Sequence, residues 1–130
     1  MSRKKLLTNC LNIAKSYITN NKKLETNKHF SFIIQNNAII SIGVNRRGRV
    51  HKRFGYNDFS NVHSEFDAYS KGKSFINNKK SWYVINIRLN NTLETMLAAP
   101  CKCCEPFLQI LGCSKVIYSD FNETFNKIVL

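Results

Sequence analysis

Residues 62–71 read VHSEFDAYSK, and residues 99–108 read APCKCCEPFL. The reading of the whole chain turns on these two stretches. In the first, Val62, Phe66 and Tyr69 fall on one side of a helix over residues 61–70, with Ser60 as its cap and Gly72 closing it. His63 and Glu65 are two residues apart at its start, so they cannot share a helical face. In the second, Pro100 stands directly before Cys101, as prolines do at helix starts. Cys104 follows three residues after Cys101, which turns both sulfurs to one side, while Cys103 points elsewhere. This second helix ends near Gly112. Pro106 lies inside it, so either the first turn is distinct or the helix proper begins near Glu105.

A catalytic zinc takes three protein ligands and keeps one position open. His63, Cys101 and Cys104 supply such a set, and the dipole at a helix start favours thiolates there. Glu65 then belongs beside the open position, where it can take a proton from zinc-bound water and pass it on. Singly, each residue has a plainer reading. A histidine next to serine is usually a capping or surface residue, a lone C-x-x-C is redox or structural zinc, and a helical glutamate usually faces water. The combination, in this order, is far more specific.

Outward from these stretches, HFSFIIQ (29–35) and AIISIGV (38–44) read as two strands about a tight Asn-Asn turn. SWYVINIRL (81–89) is a nearly continuous apolar run and reads as a central strand. NNTLETMLAA (90–99) is a loop or a strand extension, and KVIYS and FNKIVL close the chain as two strands. Near the start, Leu6, Leu7, Cys10, Ile13, Ala14, Tyr17 and Ile18 recur at three- and four-residue steps, one apolar helical face that suggests a second copy of the chain as partner. The order α-β-β-α-β-α-β-β implies a mixed sheet with helices on its faces.

The 130 residues fit a single domain spanning 1–130, with no repeat or linker. No apolar run approaches the roughly 20 residues that cross a bilayer, and the basic start lacks a signal-peptide core. The expectation is a soluble, cytoplasmic protein without a membrane partner. Five cysteines, three of them within four residues, argue for metal over a disulfide framework. Cys10, Cys103 and Cys113 read as inert thiols, and His29 and His51 have no evident role. The net charge of +12 favours phosphate-bearing partners, or reflects a Lys- and Asn-heavy coding bias.

His63-Ser64-Glu65 followed by Pro100-Cys101-Lys102-Cys103-Cys104 resembles the H-x-E…P-C-x-x-C signature of the zinc-dependent cytidine/deoxycytidylate deaminase-like superfamily. The likeness runs from about Phe30 to Asp120. ISIGVNR resembles the family's second strand, whose closing Asn contacts substrate; here that is Asn45. LGCSKVIYSD resembles the strand after the cysteine helix. Three positions depart from the pattern: Ser64 stands where Ala is common, Ala99 where Glu precedes the proline, and Glu105, itself followed by Pro106, where a small residue follows the cysteines. The resemblance implies a three-layer α/β/α fold on a mixed five-stranded sheet, its last two strands an antiparallel hairpin. It implies Zn2+ held by His63, Cys101 and Cys104, Glu65 as the proton carrier, and Asn45 and Ser64 at the substrate.

Implied with these is an enzyme, a hydrolase that deaminates a nucleobase. The basic loop 46–53 carries Arg46, Arg47, Arg49, His51, Lys52 and Arg53, with Phe54 and Tyr56 behind it. In this fold the loop lies at the pocket mouth, where arginines would grip phosphate and aromatic rings stack on a base, unless it is simply a solvated loop. The short C-terminus favours cytosine in a free nucleoside or nucleotide. The loop, the charge and a likeness of N-R…G-R-x-H to tRNA adenosine deaminases favour a base within RNA or DNA. A dead, zinc-stabilised nucleic-acid-binding module is the third reading, against which the intact Glu65 speaks.

Overall fold

A computed structural model describes residues 2–20, 28–47, 61–100 and 104–130, with backbone alone at 46–47 and 61–62. The elements are α1 (Arg3–Asn20), β1 (Lys28–Gln35), β2 (Ala38–Val44), β3 (Arg46–Arg47), β4 (Asn61–Val62), α2 (Ser64–Gly72), β5 (Trp82–Leu89), β6 (Thr95–Met96), α3 (Cys104–Leu111), β7 (Cys113–Ser119) and β8 (Phe125–Val129). The main sheet runs β2-β1-β5-β7-β8, five strands as expected, with the two-residue β6 added against β5. β5 is central: it pairs antiparallel with β1 and parallel with β7. β7 and β8 form the expected antiparallel hairpin. The β1–β2 turn is tight because Asn36 and Asn37 adopt φ of 54° and 58°, a left-handed pair that asparagine tolerates.

Strand parity sorts the side chains into two layers. Phe30, Phe32 and Ile34 of β1 and Ile85, Ile87 and Leu89 of β5 face α1, packing with Leu6, Cys10, Leu11 and Ala14. Ile33 and Val84 face the other way, under Ala68 of α2 and Leu108 of α3. Helices on both faces of a mixed sheet make the three-layer α/β/α fold.

Two expectations shift. The buried stripe of α1 includes Leu11, whereas Ile13 and Tyr17 are each 38% exposed. Tyr17 meets the edge of Phe30 with ring centroids 5.4 Å apart. The first motif helix begins at Ser64, not Asn61, and its N-cap is His63, not Ser60, because Asn61 and Val62 pair with Arg47 and Arg46 as strand. Ser60 itself lies outside the described residues. α3 is described from Cys104, in keeping with a helix proper that begins near Glu105, and Pro106 lies at its third described residue.

Gly43 sets the distance between α2 and β2. A Cβ there would lie 2.2 Å from both the Ala68 nitrogen and the Ser64 carbonyl oxygen. Only glycine lets the helix backbone rest on the strand. Two side chains lock this contact: Asp67 Oδ2 accepts from the Val44 N–H at 2.9 Å, and Ser41 Oγ donates to the Ala68 carbonyl at 2.7 Å. The start of α2 is thereby fixed over the sheet.

Candidate active site

The two helix starts converge. His63 caps α2 in an extended conformation, with φ −73° and ψ 150°, and its side chain makes no capping bond. Its carbonyl accepts the Asp67 N–H at 3.1 Å, so the backbone starts the helix and leaves the imidazole to point away. Cys104 is fully buried at the first position of α3. Its Sγ lies 3.4 Å from His63 Nδ1. Phe66 of α2 meets Phe107 of α3 edge-on with centroids 4.3 Å apart, and Tyr69 meets the same ring at 6.3 Å. These contacts hold the helices in register, and with them the imidazole and the thiol.

That spacing can be tested against a metal. A tetrahedral zinc with Zn–S about 2.3 Å and Zn–N about 2.0 Å separates its sulfur and nitrogen ligands by about 3.5 Å. The 3.4 Å between Cys104 and His63 fits that donor pair. Among the described residues no three His, Cys, Asp or Glu side chains gather as a metal site. The third expected ligand, Cys101, lies outside the described residues, as does Cys103.

Glu65 is 7% exposed and is held from both sides. Ser64 Oγ donates to its Oε1 at 3.1 Å, and Asn86 Nδ2 donates to its Oε2 at 3.3 Å. Behind them stands Ser31 of β1, directly opposite Asn86 in the β1–β5 ladder. Ser31 Oγ donates to Asn86 Oδ1 at 2.6 Å and lies 2.8 Å from Ser64 Oγ. The bond to Oδ1 fixes which way the Asn86 amide faces, so its nitrogen must turn to Glu65. Asn86 Nδ2 also donates to the Ala98 carbonyl at 3.3 Å, three residues before Cys101. One buried network thus joins the carboxylate, the sheet and the segment leading to the cysteines. A carboxyl group so enclosed, with its oxygens supplied by neutral donors, is suited to holding and releasing a proton.

The remaining expected residues fall as follows. Asn45 ends the β1–β2 ladder: its Oδ1 accepts the His29 N–H at 3.0 Å and its own N–H donates to the His29 carbonyl at 3.1 Å. Its side-chain oxygen is therefore structural. Arg46 and Arg47 form β3, and Arg46 pairs with Val62, the neighbour of His63. The backbone so brings the start of the basic loop beside the start of α2. Arg49, His51, Lys52, Arg53, Phe54 and Tyr56 lie outside the described residues. Ser31 and Asn86 were not singled out in the sequence, although each is the one polar residue within an apolar run, FSF and VINI. Asp67, 3% exposed and bonded to Val44 and to Lys71 at 2.7 Å, was missed too; its place on a helix concealed its anchoring role.

No family model matches the sequence, and no curated protein matches it. Solved structures do. The apo crystal structure of the dCMP deaminase from the cyanophage S-TIM5 is similar at a TM-score of 0.58 and 16% identity, covering 95% of this chain and 88% of that one. The same deaminase in complex with dCMP and dUMP is similar at a TM-score of 0.57 and 15% identity, covering 92% and 85%. The chain has the fold of these deaminases over nearly its whole length.

Proposed function

We propose that this protein is a zinc-dependent nucleobase deaminase acting on cytosine in a free nucleotide, of the dCMP-to-dUMP kind. The observation that carries the reading is the convergence of His63 and Cys104 at 3.4 Å beside a buried Glu65 whose two oxygens are both bonded. Likeness of fold to a deaminase whose complex holds dCMP and dUMP supports it.

His63, Cys101 and Cys104 would hold the metal. Zinc held there would supply a Lewis acid that lowers the pKa of water to roughly 7. The chain's own work is done by Glu65. Its carboxylate takes the proton of the attacking water and returns it to the ring nitrogen, then delivers a second proton to the departing amine. The ring carbon gains oxygen and loses nitrogen, and ammonia leaves. Ser64 and Asn86 keep the carboxylate aimed through both transfers, so no barrier is added by its rotation. Asn45 offers its amide nitrogen to the sugar, since its oxygen is committed to His29. Arg46, Arg47 and Arg49 are the candidates for the phosphate, because a guanidinium fork matches phosphate oxygens.

The pairing of β3 with β4 supports a phosphate contact near the site but is neutral between a free nucleotide and a polymer. A deaminase of cytosine or adenosine within RNA or DNA is therefore the second reading. A panel of cytidine, deoxycytidine, their monophosphates, adenosine, single-stranded DNA and RNA, and tRNA, read by mass spectrometry, separates the two. Turnover of dCMP or CMP, lost in Glu65→Ala, is the expected result. Turnover only on a polymer would replace the free-nucleotide reading. Full zinc with silence on every substrate would leave a binding module.

A further inference from the structure

The sheet carries a second polar row beyond the one that holds Glu65. Gly43, Ser31 and Asn86 stand abreast across β2, β1 and β5, with the first turn of α2 against Gly43. Two residues along each strand, about 7 Å further, come Asn45, His29 and Arg88. α2 points its N-terminus toward this second row, since Gly72 lies against Ser41 and Ile33 while Ser64 lies against Gly43. Strand parity puts Arg88 on the face of Val84 and Asn86, opposite the face that Ile85, Ile87 and Leu89 turn to α1.

Arg88 is half-buried, and its Nε is enclosed without a hydrogen-bond partner. Among the described residues it is the one buried side-chain nitrogen or oxygen in that state. Its backbone is fixed from both sides of β5. The Arg88 N–H donates to Ser119 Oγ at 3.0 Å, and that hydroxyl donates to the carbonyl of Met96 at 2.8 Å. Met96 is the β6 partner of Arg88, and His29 stands directly opposite it in β1. Carboxylates that could have balanced the guanidinium are engaged elsewhere. Glu65 accepts from Ser64 and Asn86, Asp67 from the Val44 N–H and Lys71. Glu94 accepts from Asn90 and Thr92, and Asp120 from the Phe121 N–H and Asn126. Among the described residues, the side-chain ion pairs are Lys15–Glu123 and Lys71–Asp67, and neither includes Arg88.

A buried donor left unbonded is costly, and more so on a charged group, so the acceptor for this one comes from outside the chain. A carbonyl of the base would satisfy one donor and leave the charge unbalanced. A phosphate monoester does both, because Nε and one Nη form a fork that matches two phosphate oxygens. The place agrees with that choice. A nucleotide carries its reacting amine and its phosphate at opposite ends, and Arg88 lies one row beyond the Asn86 that holds Glu65. We propose that Arg88 binds the 5′-phosphate of the substrate and makes the site select a nucleotide over its nucleoside. The inference deepens the deaminase reading and rests on it for the place of the base, whereas the phosphate contact is read by binding alone.

The test is calorimetric titration of the whole, zinc-loaded protein with dUMP and with deoxyuridine, which differ by the phosphate alone. dUMP should bind about tenfold or more tightly, as a charge-assisted contact requires. Arg88→Gln should remove that advantage and leave deoxyuridine within about twofold. Arg88→Lys, which keeps the charge and lacks the fork, should recover only part of it. Lys73→Gln, at an exposed lysine after α2, should leave both ligands within about twofold, the noise of diffuse charge. A dUMP advantage that survives Arg88→Gln would overturn the proposal. Equal weakening of both ligands, the mark of a structural role, would overturn it too, as would no binding of dUMP by the unmodified protein. Arg88-dependent binding of dUMP without turnover of any cytosine compound would sink the deaminase reading and leave Arg88 a phosphate-binding residue. Turnover of dCMP, with the dUMP advantage intact in Arg88→Gln, would sink the proposal alone. Melting curves identify a variant that fails to fold; if Arg88→Gln does, Arg88→Lys carries the test, and full dUMP affinity in it would contradict the proposal.

Discussion

On one side of the sheet, β1 and β5 present Phe30, Phe32, Ile34, Ile85, Ile87 and Leu89 to α1, each at most 1% exposed. On the other, the same two strands alternate Ile33 and Val84 with Ser31 and Asn86, and α2 lays Ser64, Glu65 and Asp67 over them, all buried. Strands, register and depth are shared; only the parity differs. These six side chains of the first face are pure hydrocarbon and gain about 25 cal/mol for each Å² removed from water. The second surrenders part of that gain, and each of its polar atoms must be bonded because an orphaned one costs about 1–3 kcal/mol. The distances follow this demand, with Ser31, Ser64, Glu65 and Asn86 bonded in one chain. The hydrocarbon face holds the fold, and the polar face holds a carboxylate in place.

If the faces divide labour in this way, substitutions on them should separate activity from stability. Glu65→Gln should lower turnover about a thousandfold, within the range of lost general acid–base catalysis, while zinc content and melting temperature stay near wild type. Assay and metal analysis on the same sample check this. Phe32→Ala should do the reverse: about 3–5 kcal/mol of stability lost in urea titration, with turnover per folded molecule unchanged. Asn86→Ala should give about a ten- to hundredfold loss in kcat with little change in KM, because it frees Glu65 without touching substrate. Asn86→Asp sharpens this, since a second carboxyl beside Glu65 should move the acidic limb of the kcat–pH profile upward, which a merely structural role would not.

The smallest effect concerns the two buried thiols. Burial raises Cys10 and Cys113 from 9.0 to about 12. The folded state therefore keeps both protons where the unfolded chain has released them, so stability should fall as pH rises from about 9 toward 12. The slope should be about 1.4 kcal/mol per pH unit for each thiol, measurable by denaturant titration. Below pH 9 neither thiol should contribute a slope. Both should resist alkylation at pH 8 until the protein unfolds, and rapid labelling of Cys10 in native protein would contradict the packing under α1.

Much of this division was legible in the sequence. The apolar runs of β1, β2 and β5 and the closing hairpin follow from strand patterning, and the Asn36-Asn37 turn from asparagine's tolerance of positive φ. His63, Glu65 and Cys104 follow from chemistry at helix starts. Other features depend on distant partners. The start of α2 was misjudged because Asn61 and Val62 are drawn into strand by Arg46 and Arg47, a pairing that local propensity does not encode. Leu11 replaces Ile13 in the core because the sheet, not the helix, decides which edge of an apolar stripe is covered. Ser31 and Asn86 left a trace, a single polar residue in each run, but their meaning appears only when register sets them side by side. Gly43 is similar: its role is visible only once Ser64 and Ala68 lie against it.

The central claim is tested most directly by ammonia release from dCMP, followed in parallel for the zinc-loaded protein and its Glu65→Gln variant. The account predicts stoichiometric ammonia and dUMP from the first, and zinc-replete, folded silence from the second. Ammonia released equally by both, or by neither while zinc is full, would contradict it.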